Sequence, residues 1–169
     1  NSDRAFIAEK GIQLECYFKL YVPICGEYAI FPGQYIGHLL LTNTFNFIGE
    51  PSAVLFRKSQ LKHHYWKAEC RGYKTISDII MWLELLEQGN CAIFKDSLSS
   101  FRQHPRQEGC KPETVLLSRI EWMQLFQESY TNGKFSFSID NYRSNVKRFL
   151  LEREKFMQEA QFYALLTSP

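Results

Sequence analysis

The sequence predicts an α/β fold that is followed by an antiparallel pair of long helices. Two observations carry this prediction. Short apolar runs alternate with helical patterns up to about residue 111, and apolar residues then recur at helical spacing to the C-terminus. A chain of 169 residues is long enough for one domain with a helical extension. We therefore expect two parts, residues 1–111 and residues 112–169.

Three elements are predicted in the first third of the chain. Loose alternation of apolar residues over residues 12–22 predicts a strand. Apolar spacing over residues 34–43, directly after Pro32-Gly33, predicts an amphipathic helix. The apolar run at residues 52–56, behind Pro51, predicts a short buried strand.

In the middle of the chain, the residue pattern predicts a helix and then two strands. Thr75 or Ser77 can cap a helix over about residues 76–87, and Gly89 can close it. Residues 91–94 and 98–101 predict short strands on either side of a turn at residues 95–97. These elements complete the alternation that indicates the α/β class.

Two long helices are predicted in the last third, over residues 112–130 and 139–166. Asn132-Gly133 supplies a short turn between them, so the helices are expected to run antiparallel. The first helix is expected to bury a face made of four apolar residues: Leu116, Ile120, Met123 and Phe126.

Composition excludes several classes of function. A formal net charge of +2 is too small to hold a nucleic-acid backbone by charge alone. The five cysteines are an odd number without a C-x-x-C pair, which argues against a disulfide scaffold and against a zinc ribbon. The apolar runs are far shorter than the roughly 20 residues that span a bilayer. We therefore expect a cytoplasmic protein that binds no nucleic acid and has no transmembrane segment.

Asp78 is the first residue that could carry chemistry. It lies in the opening turn of the helix predicted at residues 76–87. A carboxylate there can act as a general base if it stays ionised and can reach a bound hydroxyl. The alternative is a helix-start charge that the helix dipole stabilises.

Arg102 and His104 form the second candidate site. On a strand they share one face, because side chains repeat every two residues. A guanidinium beside an imidazole suits a diphosphate, or a metal ion bound to one. The alternative is a strand end whose polar side chains face water. The sequence contains no Asp-x-Asp and no glycine-rich phosphate loop, so a nucleotide and metal site is not complete within it.

Four segments together resemble the C-terminal half of bacterial family 2 glycosyltransferases, which have the GT-A fold. In order, the matching segments are residues 2–11, residues 46–58, residues 77–86 with Gly89, and residues 101–104. The resemblance implies a partial GT-A sheet, like that of nucleotide-diphospho-sugar transferases, over about residues 1–107. It also implies that the nucleotide-binding half lies before Asn1, so we expect no turnover from this chain alone.

The resemblance implies a role for each matching residue. Asp78 would be the general base, and Arg102 and His104 would contact the diphosphate of a nucleotide-sugar donor. His104 would also help to hold a divalent cation, Mn²⁺ or Mg²⁺, whose other ligands lie mostly outside this chain. Glu50 and Trp82 would contact the acceptor; their alternatives are a turn residue and a core tryptophan. The reaction would be an inverting sugar transfer.

The acceptor implied by the resemblance is a glycan, a lipid-linked sugar or a protein side chain, as in the synthesis of bacterial cell-surface polysaccharide. A rival hypothesis is a non-catalytic interaction module that dimerises through the C-terminal helices, because a long amphipathic helix needs a surface to lie against. The enzyme hypothesis requires Asp78, Arg102 and His104 to converge on one cleft, whereas the module does not.

Overall fold

The computed structural model describes residues 2–7, 13–14, 24–61, 72–102 and 106–167, with the backbone alone at 2–7, 13–14, 97, 101–102, 110, 153 and 155–167. In these ranges the secondary structure is β1 (Ser2–Ile7), β2 (Gln13–Leu14), β3 (Tyr28–Pro32), α1 (Gly33–Asn43), α2 (Ser77–Leu86), β4 (Asn90–Arg102), α3 (Pro112–Thr131) and α4 (Ile139–Thr167). Short 3-10 turns lie at Pro51–Ala53, Lys58–Gln60 and Glu108–Cys110. The mixed α/β class that the sequence predicts is confirmed.

The strands form one mixed sheet in the order β2-β1-β4-β3. The central pair, β1 and β4, is parallel, and the outer pairs are antiparallel. Tyr28 and Ile30 of β3 are 54% and 60% exposed, whereas Ile93 of β4 is fully buried. One face of the β3–β4 pair therefore packs into the core, and the other carries exposed apolar side chains.

The strand predictions are partly wrong. Residues 91–94 and 98–101 belong to one continuous strand, β4, and the polar residues between them form no turn. The register shifts there instead, because Ser2 pairs with Phe94 while Asp3 pairs with Ser97. A bulge accommodates the extra residues of one strand without ending it. Of the strand predicted over residues 12–22, the structure assigns Gln13–Leu14 to β2; residue 12 and residues 15–22 lie outside the described residues.

The buried strand predicted at residues 52–56 is also wrong. Pro51–Ala53 forms a 3-10 turn, and the Leu55 side chain is 95% exposed. Pro51 fixes its own φ and has no amide proton to give to a sheet, so the chain turns where the apolar run begins.

The helix predictions are confirmed to within one or two residues at each end. The predicted cap of α2 is wrong, because Ile76 holds the N-cap position and no side chain caps the helix. The predicted buried face of α3 is also shifted, since Ile120 is 51% exposed while Trp122 and Leu125 are buried.

The two C-terminal helices run antiparallel, as predicted. Near the turn, the rings of Tyr130 and Tyr142 stack with centroids 4.2 Å apart. Farther from the turn, Arg119 of α3 pairs with Glu152 of α4 at 2.9 Å. Buried residues of α3 belong to the same core cluster as those of α1, α2 and β4. The boundary at residues 111/112 stays a prediction, but the two parts share one core.

Candidate functional site

Asp78 lies in the first turn of α2, where the sequence predicts it, and its side chain is partly buried. The amides of Ile79 and Ile80 both donate to the carbonyl of Ile76, which fixes the start of the helix. Oδ1 of Asp78 accepts a hydrogen bond from the Ile79 amide at 2.9 Å. The positive end of the helix dipole also stabilises a carboxylate here. These local contacts fit a helix-start charge and a catalytic base equally well.

A further contact joins Asp78 to a distant segment of the chain. Nδ2 of Asn46 donates to Oδ2 of Asp78 at 2.8 Å. Oδ1 of Asn46 accepts from the amide of Gly49 at 2.8 Å. The Gly49 carbonyl in turn accepts from the indole Nε1 of Trp82 at 2.9 Å. Gly49 has a φ of 111°, which favours glycine. Two of these hydrogen bonds thus fix the loop of residues 46–50 on α2, and the third lies within the loop.

Trp82 lies in the core and offers no face to an acceptor sugar. Its side chain is 2% exposed, and its ring meets the Phe56 ring edge-on with centroids 6.0 Å apart. A buried indole usually satisfies its N–H, as Trp82 does on Gly49. The burial of Trp82 therefore supports the alternative of a core tryptophan. It gives no support to the expectation that Trp82 contacts the acceptor.

Glu50 lies in the same loop as Asn46. It is partly buried and occupies the N-cap position of the Pro51–Ala53 turn. This placement fits the turn-residue alternative, and it also keeps Glu50 in the loop that contacts Asp78. Its acceptor-binding role stays a prediction.

The predicted donor-side residues lie where the structure describes little. Arg102 is the last residue of β4, and its backbone is paired with that of Ile7 in β1. The structure describes the backbone of Arg102 but not its side chain. His104 also lies outside the described residues. The convergence of Asp78, Arg102 and His104 on one cleft therefore stays a prediction.

The segment of residues 106–110 leads into α3 and is tied to the start of that helix. Glu108–Cys110 forms a 3-10 turn there. The Glu108 carboxylate pairs with Lys111 at 2.6 Å and accepts a hydrogen bond from Thr114 at 3.0 Å. These contacts lower the pKa of Glu108, mainly through the hydrogen bond from Lys111.

The described part of the chain contains no group of three or more His, Cys, Asp or Glu side chains placed to hold a metal ion. The predicted ligand His104 lies outside that part.

Glu121 is a residue of this region that the sequence analysis missed. It lies on α3, is 2% exposed, and binds the chain just before α2. Oε1 accepts from the amide of Lys74 at 2.7 Å, and Oε2 accepts from the amide and hydroxyl of Thr75 at 2.8 and 2.6 Å. Its signal in the sequence is an acidic residue one turn before Leu125, on the face of α3 that is otherwise buried.

Comparison with protein-family models, with curated proteins and with solved structures finds no match for this chain. Among the described residues, no helix combines the length and the apolar character that crossing a membrane requires.

Proposed function

We propose that this chain is the acceptor-side part of an inverting glycosyltransferase with the GT-A fold, and that Asp78 is its general base. One observation supports this most directly. Two segments that carry the resemblance, residues 46–58 and residues 77–86, meet at the hydrogen bond from Asn46 to Asp78. A bare helix-start charge needs no such partner from a distant loop.

The chemistry follows from the position of this carboxylate. In an inverting transfer, the acceptor oxygen bonds to the anomeric carbon while the bond to the nucleoside diphosphate breaks, and the hydroxyl proton passes to the base. Asn46 and the Ile79 amide both donate to Asp78, which favours its ionised form.

The other candidate residues would contact either the acceptor or the donor. Glu50, in the loop that Asn46 anchors, is the remaining acceptor-side candidate. Arg102 and His104 would neutralise the departing diphosphate. The proposed Mn²⁺ or Mg²⁺ ion would supply further positive charge at that diphosphate, and residues outside this chain would hold it, since the sequence has no Asp-x-Asp. The donor would be a nucleotide sugar, and the acceptor a glycan, a lipid-linked sugar or a protein side chain in the bacterial cytoplasm.

Calorimetric titration with UDP and Mn²⁺ tests this proposal. It should be run on the 169-residue chain and on a protein extended upstream by about 100 residues, the size of a half-domain. We expect binding only in the extended protein, because it would supply the nucleotide-binding half. If no nucleoside diphosphate binds to either protein, the transferase proposal fails.

A second candidate function is self-association through the C-terminal helices. Leu150 and Leu151 on α4 are 52% and 57% exposed, and neighbouring exposed apolar side chains can mark an interaction surface. Sedimentation velocity separates the outcomes. A dimer that Leu150→Glu disperses would support the interaction module, whereas a monomer would remove it.

A further inference from the structure

We infer that Glu121, on the helical pair, is a positioning residue for Asp78. The inference rests on the proposed function, because it gives the C-terminal helices a part in the same site. The Glu121 carboxylate uses both oxygens to bind two successive backbone amides, those of Lys74 and Thr75, together with the Thr75 hydroxyl. Thr75 lies three residues before Asp78.

The contact holds the backbone that leads into α2. Ile76 occupies the N-cap position and provides no side-chain cap, and within the first turn Asp78 accepts from the Ile79 amide. The two backbone donors just before the helix, the amides of Lys74 and Thr75, are satisfied by a carboxylate from another helix. Charge-assisted hydrogen bonds of this kind are stronger than neutral ones, and losing a buried acceptor leaves its donors unsatisfied.

The consequence for Asp78 is geometric. Asp78 is held between two anchors: Asn46, which contacts its carboxylate, and Glu121, which holds the backbone one turn earlier. If the Glu121 contact is lost, the first turn of α2 can rotate or shift, and the Asn46–Asp78 hydrogen bond should weaken. Displacements of about 1 Å in a catalytic group can lower a rate by about 10²-fold. The helical pair would then be part of the catalytic apparatus.

The first test measures hydrogen exchange of the Asn46 side-chain amide by NMR in the 169-residue chain. Glu121→Gln keeps the volume but presents amide protons to one of the two backbone amides, that of Lys74 or that of Thr75. We expect the Asn46 side-chain protons to exchange about tenfold faster or more in this variant. The Asn43 side chain, which donates to the Leu39 carbonyl, should be unchanged. Glu113→Gln, an exposed change on the same helix, is the matched control.

Thr75→Val is the milder variant in case Glu121→Gln does not fold. It removes only the hydroxyl donor to Glu121, so we expect a smaller rise in Asn46 exchange, about two- to threefold. Thr114→Val is its control, because the Thr114 hydroxyl donates to the exposed Glu108. If Asn46 exchange stays unchanged in both the Glu121 and the Thr75 variants, or rises together with that of Asn43, the inference is overturned.

Kinetics in the extended protein separate this inference from the proposed function. The readout is hydrolysis of UDP-glucose, UDP-galactose and UDP-N-acetylglucosamine, in which water takes the place of the acceptor hydroxyl and UDP is released. We expect Glu121→Gln to lower kcat about tenfold or more while the donor KM stays within about twofold. Faster Asn46 exchange with an unaffected Asp78→Asn rate would support the positioning of Asp78 and refute the proposed function. A loss of rate in Asp78→Asn alone, with kcat unchanged in Glu121→Gln, would refute the inference and support the function.

Discussion

Gly37 provides the sharpest test of how the helical pair packs on the α/β part. It is buried in the middle of α1, and the ring of Phe135, from the turn between α3 and α4, lies against it. A Cβ added to Gly37 would meet Cζ of Phe135 at 2.8 Å and the atoms Cδ1 and Cε1 at still shorter range. Phe135 is 1% exposed, so its ring packs inside the core and cannot move without displacing its neighbours.

The magnitude for Gly37→Ala follows from two opposing terms. Alanine in a helix interior is favoured over glycine by about 1 kcal/mol. Overpacking of a buried site costs about 1–3 kcal/mol, and this overlap lies at the upper end because the ring must move by more than about 1 Å to regain ordinary contact. We therefore expect a net loss of about 2 kcal/mol in the free energy of unfolding.

Urea denaturation followed by circular dichroism measures this loss, and Phe135→Ala supplies the second arm of a double-mutant cycle. With the ring removed, Gly37→Ala should become stabilising by up to about 1 kcal/mol. Gly89→Ala is the control, because nothing lies within 4 Å of an added Cβ there. Equal destabilisation by Gly37→Ala in both backgrounds would refute the contact between Gly37 and Phe135.

Three further predictions concern single side chains. Trp82→Phe leaves the Gly49 carbonyl without its indole donor, so it should lower the free energy of unfolding by about 2 kcal/mol in urea; no loss would contradict the buried hydrogen bond. Burial raises the pKa of the Cys91 thiol, whereas Cys25 is exposed. Iodoacetamide at pH 8 should therefore label Cys25 about tenfold faster or more in peptide mapping, and equal rates would contradict this. Leu55→Ser should change the unfolding free energy by less than about 0.5 kcal/mol, because the side chain is 95% exposed; a larger loss would favour a buried strand.

The helices could be predicted from the sequence because their signals are local. In α2, the residues at helical spacing, Ile79, Ile80, Leu83 and Leu86, are all buried in the structure. A periodic apolar face over three turns needs no knowledge of what it packs against. The face of α3 was predicted less well, because its apolar residues cover more than one side and only the packing selects Trp122 and Leu125 over Ile120.

The strand predictions failed where local composition and pairing disagree. The polar residues at positions 95–97 are typical of a turn, yet β4 continues through them, because pairing with β1 and β3 holds both flanks. The apolar run after Pro51 has the composition of a strand but no neighbouring strand to pair with among the described residues. Strand formation depends on partners, which a single sequence does not reveal.

The candidate site also has a part that the sequence predicts and a part that it does not. The place of Asp78 at the start of a helix follows from local pattern and is confirmed. Its contact with Asn46 and the anchoring of Thr75 by Glu121 join residues that lie 32 and 46 positions apart. No periodicity encodes such pairs, so neither contact could be predicted. The donor-side roles of Arg102 and His104 stay predictions.

The most direct measurement of the central proposal is the steady-state rate of Asp78→Asn in the protein extended at its N-terminus. Asp140→Asn is the matched control, because Asp140 also lies in the first turn of a helix. We expect Asp78→Asn to lower turnover by about 10²-fold or more with nucleotide affinity little changed, as for the loss of a general base, and Asp140→Asn to have no effect. Turnover that Asp78→Asn leaves intact, or nucleotide affinity that falls as steeply as turnover, would contradict the assignment of Asp78 as the general base.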